Sequence, residues 1–281
     1  MAGRRRFYRR KRRNRKWMVL GMTAILVVLI SAVAIHRKSS SVRSTGYNFA
    51  GMGIYGRDSG TAEQTVKEGE VRKKLQELAE TNEQVAELLE RAEQFPYGIL
   101  EMVANNEETA GFALGWPEKK DTQPAADVGE LVPGEIPLLL QWDERWGYAG
   151  YGDGLLGYTG CGPTALAMVV TGLTGDSSVT PYKVAQYAEK NGYYAEGQGT
   201  AWSLMTEGCQ QFGVQGMELP LDQHVIFTAL ENGQPIICSM RPGDFTATGH
   251  YIVLTAVKEG KLEIHDPNSL IRSNQLWDYE P

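Results

Sequence analysis

An α+β fold is predicted for the second half of this 281-residue chain, behind a transmembrane helix and an α-helical segment. Three observations predict it. A nineteen-residue run without charge, Trp17 to Ile35, follows a basic arm; apolar residues recur at helical spacing between residues 61 and 116; and beyond residue 138 short apolar runs alternate with glycine-containing turns.

The basic arm, residues 1 to 16, holds ten Lys/Arg and no acid, whereas everything from residue 39 onward holds sixteen Lys/Arg against 34 Asp/Glu, a net charge of −18. The whole-chain charge of −6 therefore averages two opposite regions. The uncharged run that follows, residues 17 to 35, matches the roughly 20 residues a helix needs to cross a ~30 Å hydrocarbon core. A cleaved signal peptide is the rival, since Ala32-Val33-Ala34 resembles a small-residue cleavage site. Signal h-regions run only about 7 to 15 residues, and Arg37 and Lys38 follow directly, so an uncleaved anchor is expected. Lys/Arg-rich flanks stay cytoplasmic, which places the later residues outside the cell membrane. Beside such a span the arm sets topology and meets anionic lipid, and no nucleic-acid partner is expected.

Residues 36 to 60, rich in Ser, Gly and Tyr, read as a flexible tether. In the helical segment, residues 61 to 116, the positions Val71, Leu75, Leu78, Asn82, Val85, Leu89 and Ala92 form a stripe over about three heptads. That stripe suits an amphipathic helix packed on its own domain, with a weak coiled-coil dimer as the alternative, and a mostly monomeric protein is expected. Pro96 ends the first helical pattern and a hairpin-like pair of helices follows. Residues 117 to 137 contain several prolines and acids and read as a linker to a domain over 138 to 281.

Cys161, Cys209 and Cys238 are too few and too scattered for a disulfide framework or a zinc site, and no cofactor is implied. Gly160-Cys161-Gly162-Pro163 opens a long apolar helical run, and proline suits a first helical turn. Cys161 is thereby predicted at a helix N-terminus, where the helix dipole and a nearby imidazolium favour thiolate over a thiol of ordinary pKa ~8.5. Beyond the tether, only His224, His250 and His265 can act as its base. His250 opens the apolar run Tyr251 to Val257, a predicted strand, while His224 sits at a helix start. The run Leu262 to His265 reads as the returning hairpin strand and Asp266-Pro267-Asn268 ends it, so adjacent strands can supply base and orienting carboxylate. A turn aspartate before proline is the ordinary reading of Asp266 taken alone. His265 should face the other side of its strand. Gln141, after the run Leu138-Leu139-Leu140, is a candidate oxyanion donor.

The order Gln141-Trp142-Asp143-Glu144-Arg145-Trp146, Gly160-Cys161-Gly162-Pro163-Thr164, Gly249-His250 and Asp266-Pro267-Asn268 resembles the papain-like domain related to the double-glycine, bacteriocin-leader peptidases, cysteine peptidase family thirty-nine. The resemblance covers residues 138 to 281. It implies a thiol peptidase acting on a peptide or protein substrate, with Cys161 as nucleophile, His250 as base, Asp266 as its orienting residue and Gln141 as oxyanion donor. The upstream helices and single anchor are similar to exported stand-alone relatives of Gram-positive bacteria. No Walker A motif accompanies the domain, so cleavage after a double glycine is not implied. Such domains usually continue past the segment matching Trp277 to Glu280, and a C-terminal truncation is expected. Papain-like folds also host acyl transferases, and an inactive peptide-binding module is the third reading.

Overall fold

The structure, a computed structural model, describes residues 25–29 and 62–279. Strand β1 (Ile25–Leu29) comes first, then four helices, α1 (Ala62–Ala79), α2 (Glu83–Glu90), α3 (Tyr97–Asn105) and α4 (Ala110–Lys119). The basic arm, the tether and the remainder of the expected span lie outside the described residues. Within that span Ile25–Leu29 form a strand where a helix was expected, and no helix among the described residues is long and apolar enough to cross a membrane. The physical reason is that a short run of leucine, isoleucine and valine satisfies a strand flanked on both edges as well as it does a helix.

The helical stripe also departs from expectation. One continuous helix would put Asn82 in a seam, but Asn82 is the N-cap of α2: its side chain accepts from the backbone N–H groups of Gln84 and Val85 at 3.1 and 3.3 Å. An asparagine with free donors two and three residues ahead stabilises a helix start better than a helix interior. The stripe is therefore divided between α1 and α2. Val71, Leu75, Val85 and Leu88 are buried together with Ile99, Val103 and Phe112 of α3 and α4. Pro117 lies inside α4, two residues before its end, so the last helix of the segment runs past the predicted boundary.

Residues 120–137 do not behave as a free linker. Val128 is buried and its N–H donates to Ser177 O at 2.9 Å, while Arg145 donates to Val128 O at 2.7 Å and its own carbonyl accepts from Ala125 N–H at 2.8 Å. The chain is thus laid down on the mixed domain before entering it.

That domain continues with the hairpin β2 (Gly150–Tyr151) and β3 (Gly154–Leu155), then α5 (Leu156–Thr159), α6 (Cys161–Thr174) and α7 (Pro181–Lys190). A small hairpin, β4 (Tyr194–Ala195) and β5 (Gly199–Thr200), leads to α8 (Ser203–Thr206). The sheet is completed by β6 (Gln215–Leu219), α9 (Gln223–Glu231), β7 (Ile236–Met240), β8 (His250–Lys258), β9 (Lys261–His265), α10 (Leu270–Ser273) and β10 (Leu276–Trp277). Its strand order is β10-β9-β8-β7-β1-β6, antiparallel from β7 to β10, with β1 parallel to both neighbours.

Helix α6 runs through the main core, with Gly162 to Thr171 all buried, as its nearly unbroken apolar sequence requires. It ends at Gly175, whose φ of 72° is the left-handed conformation of a glycine cap. The helical segment shares its core with this domain. Phe112 of α4 stacks on Tyr148 at 4.2 Å between centroids, and the Tyr148 hydroxyl donates to Phe112 O at 2.9 Å.

Candidate active site

Cys161 is the first residue of α6, so its side chain stands where the unpaired N–H groups of the first turn concentrate positive potential. The flanking glycines act by fit rather than by uncovering the sulfur. A Cβ at Gly160 would lie 2.4 Å from Leu156 O, and one at Gly162 would lie 2.7 Å from the Thr200 side chain. They let the helix head pack against α5 on one side and β5 on the other.

His250 opens β8, and Asp266 follows the last residue of β9. The two strands pair with Val253 opposite His265, a register that carries Asp266 across from Ile252, on the face of β8 that also presents His250. This diagonal brings the side chains together: His250 Nε2 and Asp266 Oδ1 are 2.7 Å apart, in a bond buried at both ends. The other ring nitrogen is not used by Asp266, and Cys161 lines the same cavity as His250. His265 faces away, as strand alternation demands, and His224 is exposed at the start of α9.

Burial alone would lower the His250 pKa, but hydrogen bonds to Asp266 and Cys161 outweigh it and push the value up to about 9. Desolvation alone would raise Asp266, yet His250 and Arg272 hold it below the ordinary carboxylate range. Both shifts favour the charged forms, imidazolium and carboxylate.

Arg272 was invisible to the sequence reading. Its Nε donates to Asp266 Oδ2 at 2.6 Å, and Asn268 N–H donates to Oδ1 at 2.7 Å, so Asp266, with 0% exposure, has partners on both oxygens. Ser269 caps α10 by accepting from Arg272 N–H at 3.0 Å, and Asp266 N–H donates to Ser273 Oγ at 2.9 Å. The usable signal was Asp-Pro-Asn-Ser followed by a basic residue, a capped helical turn that can reach back to its own start.

Gln141 is 1% exposed, and its backbone N–H donates to Pro267 O at 2.8 Å, which ties it to the Asp266 loop. Its side-chain Nε2 donates to Gly157 O at 3.0 Å. One amide hydrogen is thus engaged, while the side-chain Oε1 is buried without a hydrogen-bond partner. Gln141 and His250 line a cavity of about 280 Å³, whose opposite wall is built by Gly98, Glu101, Met102 and Asn105 of α3. Cys161 and His250 line a second cavity, of about 550 Å³, with Tyr194, Thr200, Trp202 and Tyr251. Thr248, Gly249 and His250 belong to both, so one cleft passes over the imidazole.

The other thiols are poorly suited to attack. Burial raises Cys209 to about 11 and Cys238, among Ile226, Ile252 and Leu254, to about 12. Among the described residues no cluster of three or more His, Cys, Asp or Glu could hold a metal ion.

A helix-borne thiol facing a strand-borne imidazole that is backed by a carboxylate is the constellation of the papain-like thiol hydrolases. A family model described as "Peptidase_C39 like family" matches residues 134–280, just over half the sequence, and the chain belongs to that family. No curated protein and no solved structure matches it.

Proposed function

We propose that the protein is a cysteine peptidase that hydrolyses peptide bonds through Cys161, His250 and Asp266. The observation that carries the proposal is the buried His250–Asp266 bond beside a thiol at a helix head. Thiolate Sγ attacks the scissile carbonyl carbon, and the electron pair displaced onto oxygen is stabilised by the second Gln141 N–H. On collapse the C–N bond breaks, and the His250 imidazolium gives its proton to the departing amine. Neutral His250 then takes a proton from water, whose oxygen attacks the thioester, and collapse releases the acid and restores the thiolate. Asp266 holds the imidazole in place throughout. Among the described residues, the side of the cleft beside Cys161 carries no carboxylate, lysine or arginine, which favours an uncharged stretch of substrate there, since a charged side chain would lose water without gaining a partner.

The test is digestion of a peptide library in ¹⁸O-labelled water, with and without an added amine, read by mass spectrometry. Hydrolysis predicts new C-termini carrying ¹⁸O in both cases. Amide products at the expense of acids would identify a transferase, and no Cys161-dependent product would favour the binding module.

A single-pass anchor formed by residues 17 to 35, with the peptidase outside the cell membrane, belongs to the same proposal. Its support is the length of the uncharged run and the ten basic residues before it. Only five of those nineteen residues enter β1, and the two placements exclude each other. Deleting residues 1 to 40 is expected to leave the thermal midpoint of the remainder within about 2 °C, the scale of a change of about 0.5–1 kcal/mol for this size. A large loss of stability would show that β1 is an integral strand between β6 and β7 and would remove the anchor.

A further inference from the structure

The helical turn that grips the carboxylate beside His250 is itself bonded by residues outside the region that matches the peptidase family. Glu108 belongs to the turn between α3 and α4, and its side chain reaches α10 across more than 160 residues. Its Oε2 accepts from Leu270 N–H at 2.8 Å and from Ile271 N–H at 3.1 Å, while Oε1 accepts from the Ser269 hydroxyl. These are first-turn donors that a four-residue helix cannot satisfy internally. Beside Glu108, Asn106 Nδ2 donates to Asn268 O at 2.5 Å, an oxygen that also accepts from Trp142 Nε1 at 3.1 Å. The whole run 268–271 is thus fastened to the helical segment, and α10 in turn carries Arg272 and Ser273, the two residues that grip Asp266.

We infer that Glu108 is a positioning residue of the active site: by capping α10 it fixes Arg272 on Asp266, and through Asp266 it sets the imidazole of His250, so that the helical segment is part of the catalytic unit. The inference rests on the peptidase reading for its consequence in turnover, but not for its geometry. An isolated domain would have to leave the N–H groups of Leu270 and Ile271 to water and let α10 fray. The Asp266 carboxylate would then be held by Asn268 and His250 alone, with freedom to rotate. Misplacement of a catalytic group by about 1 Å costs on the order of 100-fold in rate, so the effect should be large even though Glu108 touches neither thiol nor imidazole.

The experiment compares Glu108→Ala, Glu108→Gln and Ser269→Ala in the full chain with the unaltered protein, using two readouts. The first is kcat and KM for the best peptide from the library. The second is the NMR signal of the His250 Nε2 proton, which is buried against Asp266 and should resonate far downfield with slow solvent exchange. Glu108→Ala is expected to lower kcat by about 10- to 100-fold with KM within about twofold, and to broaden or abolish that signal. Glu108→Gln keeps an acceptor oxygen for α10 and should restore most of both. Introduced into Asp266→Asn, Glu108→Ala should add little, because the group it positions is already impaired. A Glu108→Ala protein with an undiminished kcat and an unchanged Nε2 proton would overturn the inference. If Glu108→Ala does not fold, the milder Ser269→Ala decides by the same two readouts. Should the chain hydrolyse nothing, the peptidase reading falls, while dependence of the His250 proton on Glu108 would still establish the positioning role.

Discussion

Replacing Cys161 by alanine or His250 by alanine is expected to reduce peptide hydrolysis by about 10⁴-fold or more, because removing either member of a nucleophile and base pair costs nearly as much as removing both. The two variants separate in alkylation. In the unaltered protein Cys161 should react with iodoacetamide near neutral pH far faster than Cys209 or Cys238, whose thiols burial has raised to about 11 and about 12. In His250→Ala the imidazole beside the thiol is gone, so labelling of Cys161 should slow across the neutral range. Mass-spectrometric mapping of the label across pH checks this, and an unchanged profile would mean that thiol and imidazole are not coupled. Asp266→Asn should impair turnover less than His250→Ala, since it disturbs orientation but leaves the base. Gln141→Ala should lower kcat by about 10² if its second N–H reaches the oxyanion.

The second large effect is on stability. Arg272→Ala should cost about 2–3 kcal/mol, below the 3–5 typical of a broken buried pair, because Arg272 is 20% exposed on its side chain and Asp266 keeps Asn268 and His250. Denaturant unfolding at pH 6 measures it. The pH dependence has a definite sign. Asp266, lowered when folded, contributes stability that is present above its unfolded value near 3.8 and lost as pH falls through the lower folded value. His250, raised when folded, contributes stability that is complete below 6.5 and lost as pH rises through about 9. Stability from this cluster is therefore greatest between about pH 4 and 6.5. Without Arg272 the depression of Asp266 shrinks, so acid unfolding should begin at a higher pH than in the unaltered protein. A midpoint shifted the other way would mean that Arg272 is not what holds Asp266 ionised.

What the sequence disclosed of this site was local. Gly160 to Pro163 marked a helix start under a thiol, and the hairpin from His250 to Asp266 was legible as two strands about a short turn at Glu259 and Gly260. That adjacent strands could supply base and carboxylate therefore followed from spacing, although a register shift between Leu254 and Ala256 is what carries Asp266 opposite Ile252 rather than Val253, and so onto the face of His250. Arg272 and Glu108 did not, for different reasons. Arg272 acts from a single helical turn whose pattern is too short for periodicity to register. Glu108 acts across the whole domain, and no local pattern distinguishes it from Glu107 beside it. The helical segment shows the same limit. Its apolar stripe was legible, but whether Asn82 continued one helix or began another depended on α1 and α2 folding against each other, which spacing alone does not encode. The apolar run around Ile25–Leu29 poses that ambiguity in its sharpest form, since leucine, isoleucine and valine serve a lipid-facing helix and a central strand alike.

The way residues 120–137 lie along the domain has a further consequence. Asp121, Thr122 and Gln123 are exposed between the end of α4 and the first anchoring bond at Ala125. The helices before them are tied to the rest of the chain by the Phe112 and Tyr148 stack, by Tyr148 bonding to Phe112 O and by Glu108 on α10. Severing the chain at these residues would break one covalent connection and none of the contacts. The product would be a two-chain molecule whose light chain, though no longer joined to the thiol-bearing piece, still holds the turn that carries Arg272. A single cut at this place would leave the geometry around His250 and Asp266 as it was.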